Sequence, residues 1–382
     1  MSEHAADGQA RTRVLIAGGG VAALECALAL SELAPALTEV KVLAPQTDFV
    51  YRPLAVRAPF AYGPLSTYPL APIVADAGAE LIADRLEWVD PGACTVHTGE
   101  GAEIAYDALV VAVGAVARPR YEHALTIDDR HLDETLHGLV QDIEGGYVRE
   151  LAFVIPARMG WPLPIYELAL MSAGRAFDMD VELGITIVTP EDRPLAIFGE
   201  AASSAVEQRL ASAKISVFTS AYAEIPAAGE IVIGPGERVL SAQRIVALPE
   251  LYGPPIRGLP SAEHGFLRTD EHGRLHEVGP VYAAGDASDF PIKHGGLASQ
   301  QADAAAESIA ALAGAALTPE PFKPVIKGML LTDSKPLYLS ARITGGHGFS
   351  SEVSETPPES SPTKISARYL APYLQQQDAQ PA

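Results

Sequence analysis

The stretch VLIAGGGVAALECALAL, residues 14 to 30, decides the fold of this chain. Gly18, Gly20 and Ala23 stand in G-x-G-x-x-A spacing, between a strand pattern and a helix pattern. Gly18 permits a tight turn, Gly20 lets a pyrophosphate approach the backbone, and Ala23 lets the helix pack closely on the strand. The helix N-terminus favours negative charge. A nucleotide-binding turn is therefore predicted, with contacts from Gly18, Gly20, Val21, Ala22 and Ala23.

One expected part of a dinucleotide site is missing. Such a domain usually ends its second strand with an acid that binds the ribose hydroxyls. Here the strand of residues 39 to 43 is followed by Ala44 and Pro45, and no acid comes before Asp48. Backbone groups at Ala44, a water molecule or Asp48 would then bind the ribose in place of the acid. The alternative is that adenosine binds weakly.

A second strand-helix-strand pattern occupies residues 151 to 189, with the helix near residues 165 to 176. Between the two patterns, residues 108 to 115 form an apolar run, typical of a strand covered on both faces. Two such patterns predict an α/β protein with two Rossmann-like dinucleotide-binding domains.

A second motif near the C-terminus points to a flavin. In PVYAAGDASDFPIKHGGLASQQ, residues 280 to 301, a short strand delivers Asp286, whose carboxylate suits the hydroxyls of a ribityl chain. Gly295 and Gly296 open a long helix whose first amide groups favour an anionic reduced flavin. Lys293 would add a cation there, and His294 would relay protons. The alternative is a turn aspartate followed by an ordinary capped helix.

These motifs resemble a known family. The segments AGGGVAALE (17 to 25), YDALVVAVGA (106 to 115) and VYAAGDASDFP (281 to 291) recur in this order in FAD-dependent pyridine nucleotide–disulfide oxidoreductases. The phrase FVYRPL, residues 49 to 54, is similar to the branch with sulfide:quinone oxidoreductases, flavocytochrome c sulfide dehydrogenases and type II NADH dehydrogenases. The resemblance covers most of residues 12 to 320.

The resemblance implies FAD as the cofactor. It implies that Gly114 lies where the chain crosses beside FAD, and that Asp286 holds the ribityl-phosphate region. The residues that it places near the flavin itself are Lys293, Gly296, Arg52 and Pro53, with Gly285 and Gly295 in the same turns.

The turn of the second pattern departs from the family. It reads FVIPARMGWPLPIYELAL, residues 153 to 170, in which Gly160 is the only glycine among three prolines. Proline lacks an amide donor, so this turn does not cradle a pyrophosphate in the usual way. We expect NAD(P)H not to bind, and Glu191, which could meet a ribose, to be solvated. Trp161 and Tyr166 are candidates for lining a flat, quinone-like ring, with core packing as the alternative.

Composition excludes several classes of function. The 382 residues carry a formal net charge of -21, which argues against nucleic-acid binding. The two cysteines form no CxxC pair, so neither a disulfide framework nor a metal site is expected. Cys26 lies in the first helix pattern and Cys94 in a presumed strand, and neither lies where the related enzymes carry redox thiols. Sulfide oxidation and disulfide reduction through cysteine are therefore disfavoured.

The C-terminal region admits two structures. No apolar run reaches membrane-spanning length and no signal peptide is recognisable, which indicates a cytoplasmic protein. Residues 322 to 339 interleave basic and apolar residues. They fit an amphipathic helix on the inner membrane face, or a strand pair over the flavin. A solvated linker is expected at residues 350 to 362.

The sequence thus predicts a split FAD domain (residues 11 to 120 and 251 to 320), an inserted degenerate NAD(P)-like domain (121 to 250) and a C-terminal capping or homodimerisation segment (321 to 382). The predicted function is an oxidoreductase that passes electrons from a small donor through FAD to a quinone or protein acceptor. The alternatives are a non-catalytic scaffold of the same fold and an NAD(P)H-dependent reductase with an unusual nucleotide pose.

Overall fold

The computed structural model describes residues 10–60, 65–128, 131–332, 335–344, 348–358 and 364–379. Its helices are α1 Val21–Leu33, α2 Leu70–Asp76, α3 Leu132–Glu144, α4 Leu163–Asp178, α5 Glu200–Ser212, α6 Gly295–Leu312 and α7 Leu370–Ala379. Within these ranges, no helix combines the length and the apolar character needed to cross a membrane.

The strands are β1 Thr12–Ala17, β2 Thr38–Leu43, β3 Asp48–Val50, β4 Thr67–Pro69, β5 Glu80–Ile82, β6 Leu86–Asp90, β7 Thr95–Thr98, β8 Glu103–Ala105, β9 Ala108–Val111, β10 Val116–Arg118, β11 Leu125–Thr126, β12 Glu150–Val154, β13 Gly184–Val188, β14 Ser216–Phe218, β15 Tyr222–Ala227, β16 Glu230–Gly234, β17 Arg238–Ser241, β18 Arg244–Ala247, β19 Glu250–Tyr252, β20 Val281–Ala283, β21 Val325–Leu330, β22 Leu337–Thr344 and β23 Gly348–Ser354.

The first half is a five-stranded parallel sheet in the order β20-β9-β1-β2-β5. Helices α1 and α6 cover one face of this sheet, and the small antiparallel sheet β6-β7-β8 covers the other. Every residue of β9 is buried, as its uninterrupted apolar sequence predicts. Strand β20 comes from far along the chain, as a split domain requires, although the domain boundaries themselves stay predictions.

The second half repeats this layering. Its parallel sheet has the order β11-β18-β12-β13-β14, with α3, α4 and α5 on one face and the antiparallel sheet β15-β16-β17 on the other. The short pair β10 and β19 joins the two halves. The α/β fold with two Rossmann-like units is therefore confirmed.

The C-terminal region settles one alternative and corrects another expectation. Strands β21, β22 and β23 form an antiparallel sheet, so the amphipathic helix at residues 322 to 339 is wrong. The strand pairing of the other alternative is confirmed, while its place over the flavin stays a prediction. Alternate residues of β21 are buried, which is the period of a strand with one covered face. The linker expected from residue 350 is wrong as far as Ser354, which ends β23; residues 359 to 363 lie outside the described part.

Cys94 also lies outside the strand assigned to it. It occupies the turn before β7 with a positive φ of 51°.

The chain end is fastened to the first half by a buried carboxylate. Glu25, in the middle of α1, is fully buried and accepts the backbone N–H groups of Arg368, Tyr369 and Leu370 at 2.6, 3.0 and 2.6 Å. The first amides of a helix have no partner within the helix, so Glu25 supplies the acceptors for the start of α7. The segment of residues 364 to 379, called the tail below, thereby packs against α1.

Replacing Glu25 by Ala should release the tail. The change leaves one buried and two partly buried amides without this acceptor, and we expect it to lower the free energy of unfolding by about 3 kcal/mol. Limited proteolysis should then cut within residues 364 to 379 well before the rest of the chain. Glu32→Ala, at an exposed position of the same helix, is the matched control. If the tail is cleaved equally slowly in the two variants, Glu25 does not hold the tail against α1.

A second neighbour of Glu25, the carboxyl group of Asp303, should make stability depend on pH. Burial, followed by the nearby charge of Glu25, raises the pKa of Asp303 in α6 to about 8. The folded state therefore holds a proton that the unfolded state releases near pH 4. Stability is then lost as pH rises from about 4 towards 8, because the folded state keeps a proton that the unfolded state has already released. Thermal unfolding should show a melting temperature that falls from pH 5 to pH 8, and Asp303→Asn should flatten the curve. If Asp303→Asn leaves the pH dependence of the melting temperature unchanged, Asp303 is not the group responsible for it.

Candidate functional site

The glycine turn after β1 passes directly against the end of β9. Gly18 has φ +129°, and a Cβ atom there would lie 2.2 Å from the carbonyl oxygen of Ala112. Only glycine fits such an approach without moving the backbone. This contact places the turn beside Gly114, which has φ +78° and follows β9 by three residues.

Space for a ligand remains on the other side of this turn. Gly20 is the N-cap of α1, and no side chain caps the helix there. A Cβ atom on Gly20 or on Gly114 would meet nothing within 4 Å. The start of α1 thus combines uncapped amide groups with open space, which is the arrangement that a phosphate group needs.

The second motif packs onto the start of the same helix. A Cβ atom on Gly285 would lie 3.3 Å from the Cβ atoms of Ala22 and Ala298, and one on Gly295 would lie 3.8 Å from Val21. The amide of Gly285 donates to Gln301 in α6 at 2.8 Å. The structure therefore brings the contacts predicted near residues 18 to 23, 114 and 285 to 296 into one place.

Asp286 and Lys293 lie in the loop between β20 and α6. Asp286 is half-buried in a single 3-10 turn. Lys293 is 8% exposed; its ammonium donates to the carbonyl oxygen of Ser288 at 2.5 Å and lies 3.9 Å from the centre of the Phe266 ring. Burial lowers the pKa of Lys293 to about 8, against the opposing effect of Asp286 and Asp289.

His294 caps α6. Its Nδ1 accepts the amide of Gly296 at 3.2 Å, so a neutral ring carries its proton on Nε2. Burial, and then the charge of Lys364, lowers the pKa of His294 to about 4, which keeps the ring neutral at pH 7. The ring of Trp161 lies 4.3 Å away, centre to centre. The amide of Gly296 thus already has an acceptor within the protein, which the sequence did not predict.

The ribose position contains no acid, but it has a polar neighbour. Ala44 is fully buried, and its amide donates to Ile82 at 3.0 Å. Asp48 instead accepts the hydroxyl of Thr47 at 2.6 Å. The side chain of Gln46 reaches over the turn, since a Cβ atom on Gly19 would lie 2.3 Å from its Nε2. Gln46 is therefore a further candidate for contact with the ribose, although it is not an acid.

In the second half, the corresponding acid is turned inward. Glu191 is 7% exposed, and its carboxylate accepts the hydroxyls of Tyr166 at 2.6 Å and of Thr189 at 3.0 Å. Burial raises the pKa of Glu191 to about 7. The expectation of a solvated Glu191 is wrong, because the hydroxyl of Tyr166 in α4 donates a hydrogen bond to its carboxylate inside the protein. Tyr166 itself is fully buried, so it packs in the core and lines no open pocket.

The tail reaches the start of α6 from the other side. Arg52, which is exposed, and Pro53, which is half-buried, begin a 3-10 segment, Arg52–Phe60. The residue before it, Tyr51, accepts the amide of Ile365 through its hydroxyl at 3.0 Å. The side chain of Ile365 lies 3.1 Å from the position of a Cβ atom on Gly295. The FVYRPL segment, the tail and the start of α6 therefore meet.

A cavity of about 290 Å³ lies between the 3-10 segment and the tail. Its apolar wall includes Leu54, Met329, Leu331, Ile365, Leu370 and Leu374. Its polar lining includes Tyr51, Arg57 and Lys364, and the ammonium of Lys364 is paired with buried Glu167 at 2.6 Å. Such a cavity fits a flat apolar molecule with a few polar atoms. The sequence could not reveal it, because its walls come from segments some 300 residues apart.

No cluster of three or more His, Cys, Asp or Glu residues able to hold a metal ion occurs in the described ranges.

Comparisons with known proteins agree with this geometry. No protein-family model matches the chain. The sulfide-quinone reductase of Aquifex aeolicus (strain VF5) is 32% identical over 103 residues, which is 26% of this chain and 24% of that protein. The match thus spans about a quarter of the length of this curated relative.

Two solved structures share the fold. The sulfide:quinone oxidoreductase of Aquifex aeolicus superposes with a TM-score of 0.81 at 18% identity, over 90% of this chain and 87% of that one. A chain of the Tetrahymena thermophila mitochondrial ATP synthase superposes with a TM-score of 0.65 at 12% identity, over 90% and 89%. The resemblance and the fold class predicted from the sequence are confirmed.

Two glycine variants should separate folding from ligand binding. Gly18→Ala drives a Cβ atom into a backbone carbonyl, so we expect it to destabilise the fold by about 3 kcal/mol or more. Gly20→Ala enters open space, so it should leave the melting temperature nearly unchanged but weaken FAD uptake about tenfold or more. Thermal unfolding and equilibrium FAD titration measure the two effects. Unaltered FAD affinity in Gly20→Ala would rule out this turn as the pyrophosphate site.

Proposed function

We propose that this protein is an FAD-dependent oxidoreductase that passes electrons from a small donor through the flavin to a quinone-like acceptor. The observation that carries the proposal is the convergence of three glycine turns at the start of α1. Gly20 and Gly114 leave open space there, and Gly285 packs against Ala22. Resemblance to the disulfide-oxidoreductase superfamily gives this combination its interpretation as an FAD site.

The residues at this place suit the successive parts of FAD. The uncapped amides at the start of α1 would hold the pyrophosphate, and the half-buried Asp286 would accept hydroxyls of the ribityl chain. When bound, FAD supplies the two-electron chemistry. Lys293 contributes a buried cation that favours the anionic, reduced form, and neutral His294 holds a proton on Nε2.

The cavity beside the tail supports a ring-shaped acceptor. It reaches Ile365, which contacts the start of α6. Its apolar wall would exclude water from a quinone ring, while Tyr51 and Lys364 could donate to ring oxygens. A protein acceptor is the alternative that the sequence left open.

Thiolate chemistry is not part of this proposal. Cys26 is fully buried in α1, where burial raises the pKa of its thiol far above the usual range. Cys94 donates weakly to the carbonyl oxygen of Pro91, and it lies beside the small sheet β6-β7-β8 rather than at the glycine turns. The donor therefore has to reduce the flavin without help from a cysteine pair.

A non-catalytic scaffold is the second candidate. The fold itself does not require turnover, and a chain of similar fold is part of the Tetrahymena thermophila mitochondrial ATP synthase assembly. An NAD(P)H-dependent reductase has less support, since Glu191, the acid that would hold a ribose, is bound to Tyr166.

Anaerobic photoreduction followed by addition of a soluble quinone tests the proposal. We expect bleaching of the flavin absorbance and rapid recovery on mixing with the quinone. Ala371→Trp, which fills the cavity from α7, should slow the recovery about tenfold or more. Gln376→Trp, at an exposed position of the same helix that does not line the cavity, should leave it unchanged.

The outcomes distinguish the candidates. A flavin that cannot be reduced favours the scaffold. A reduced flavin that no quinone reoxidises would contradict the acceptor, and equal rates in the two tryptophan variants would place the acceptor elsewhere.

A further inference from the structure

The turn between β12 and α4, residues 155 to 162, occupies the place of a nucleotide-binding turn but has another set of contacts. A Cβ atom on Gly160 would lie 2.7 Å from Cγ and 2.9 Å from Cβ of Lys293, and 2.8 Å from Leu251. In such turns a glycine leaves room for a phosphate group. Here the aliphatic part of the Lys293 side chain occupies that space. Pro156 and Pro162 also remove two amide donors from the turn.

Two consecutive residues of this turn meet two consecutive residues of the loop before α6. The amide of Lys293 donates to the carbonyl oxygen of Gly160 at 3.0 Å, and the ring of Trp161 lies against His294. Trp161 is itself held edge to face by Phe198, with ring centres 5.6 Å apart. The second half of the molecule therefore contacts the loop between β20 and α6, which also carries Asp286.

The turn is also anchored to the joint between the halves. Arg158 forms an ion pair with Glu250 at 3.1 Å, and its guanidinium lies 4.5 Å from the centre of the Tyr252 ring. Both partners belong to β19, which pairs with β10 in the short sheet that joins the halves. Arg158, two residues before Gly160, thus ties the turn to the strand pair that joins the halves.

The ammonium group of Lys293 is largely buried. Besides the carbonyl oxygen of Ser288 and the ring of Phe266, the charges that act on it are those of Asp286 and Asp289. In such surroundings a small displacement of a cation changes the local potential more than it would in water. A flavin beside Asp286 would feel that change directly.

We propose that the turn of residues 155 to 162 is a brace that fixes Lys293, and that Lys293 held in this way sets the reduction potential of the flavin. The second dinucleotide-like half then acts as a tuning element and not as a nucleotide site. This inference rests on the proposed function, because the tuning needs a bound flavin. The brace, which is the contact between the turn and Lys293, requires no flavin.

Midpoint potentials test the tuning. Lys293→Met removes the cation, so the preference for the reduced flavin should fall about tenfold, which is about 30 mV for a two-electron couple. Gly160→Ala pushes the lysine stem away, and the potential should shift in the same direction. Gly138→Ala in α3 is the matched control, because a Cβ atom there meets nothing within 4 Å. Potentials equal to wild type in both Lys293→Met and Gly160→Ala would overturn the tuning.

Amine labelling tests the brace without a flavin. Under limiting acylating reagent followed by mass spectrometry, Lys293 should react far more slowly than exposed Lys214. Gly160→Ala should speed labelling of Lys293 about tenfold while leaving Lys214 unchanged. Equal labelling of Lys293 in wild type and Gly160→Ala would overturn the brace even if the flavin is active. A protein that binds no flavin but shows faster labelling would retain the brace and lose the tuning together with the proposed function.

Discussion

The close packing of α1 and α6 at Ala22, Gly285 and Ala298 is the constraint on which the rest of the structure depends. Gly285, in the turn after β20, fits between the two helices: a Cβ atom there would lie 3.3 Å from the Cβ atoms of Ala22 and Ala298, so a larger residue would push the helices apart. Because the two helices begin side by side, their uncapped or lightly capped ends face the same region. The tail then packs on α1 through Glu25 and adds the wall of the cavity. The open space at the glycine turns and the cavity beside the tail thus both lie next to this helix contact.

The second half shows how a dinucleotide fold can keep its sheet and change its use. The parallel strands and their helices are complete, yet the features that bind a nucleotide have other partners. Gly160 packs against the aliphatic part of the Lys293 side chain, and Glu191 accepts a hydrogen bond from the hydroxyl of buried Tyr166. An unpaired buried carboxylate would be costly, so Tyr166 and Thr189 stabilise Glu191 in its inward position. The positions that such a fold uses for a nucleotide are therefore engaged here in contacts within the protein.

Sequence patterns predicted the regular elements well, because strand and helix periodicity is local. The helix pattern that follows the first glycine turn is α1, Val21–Leu33, and Gly295 does begin α6. The strands β21 and β22 stayed ambiguous, since short interleaved apolar runs fit both periods. The tail contacts, the cavity and the inward Glu191 depend on pairs that lie far apart along the chain. Glu25, an acid flanked by apolar residues in α1, is the local feature that this buried anchor leaves in the sequence.

The visible absorption spectrum of the purified protein, before and after heat release of the cofactor, tests the central claim most directly. The structure predicts flavin bands that correspond to about one FAD per chain, recovered in the supernatant after heating. A colourless protein that also takes up no added FAD would contradict the claim. The glycine turns at α1 and α6 would then be features of packing alone.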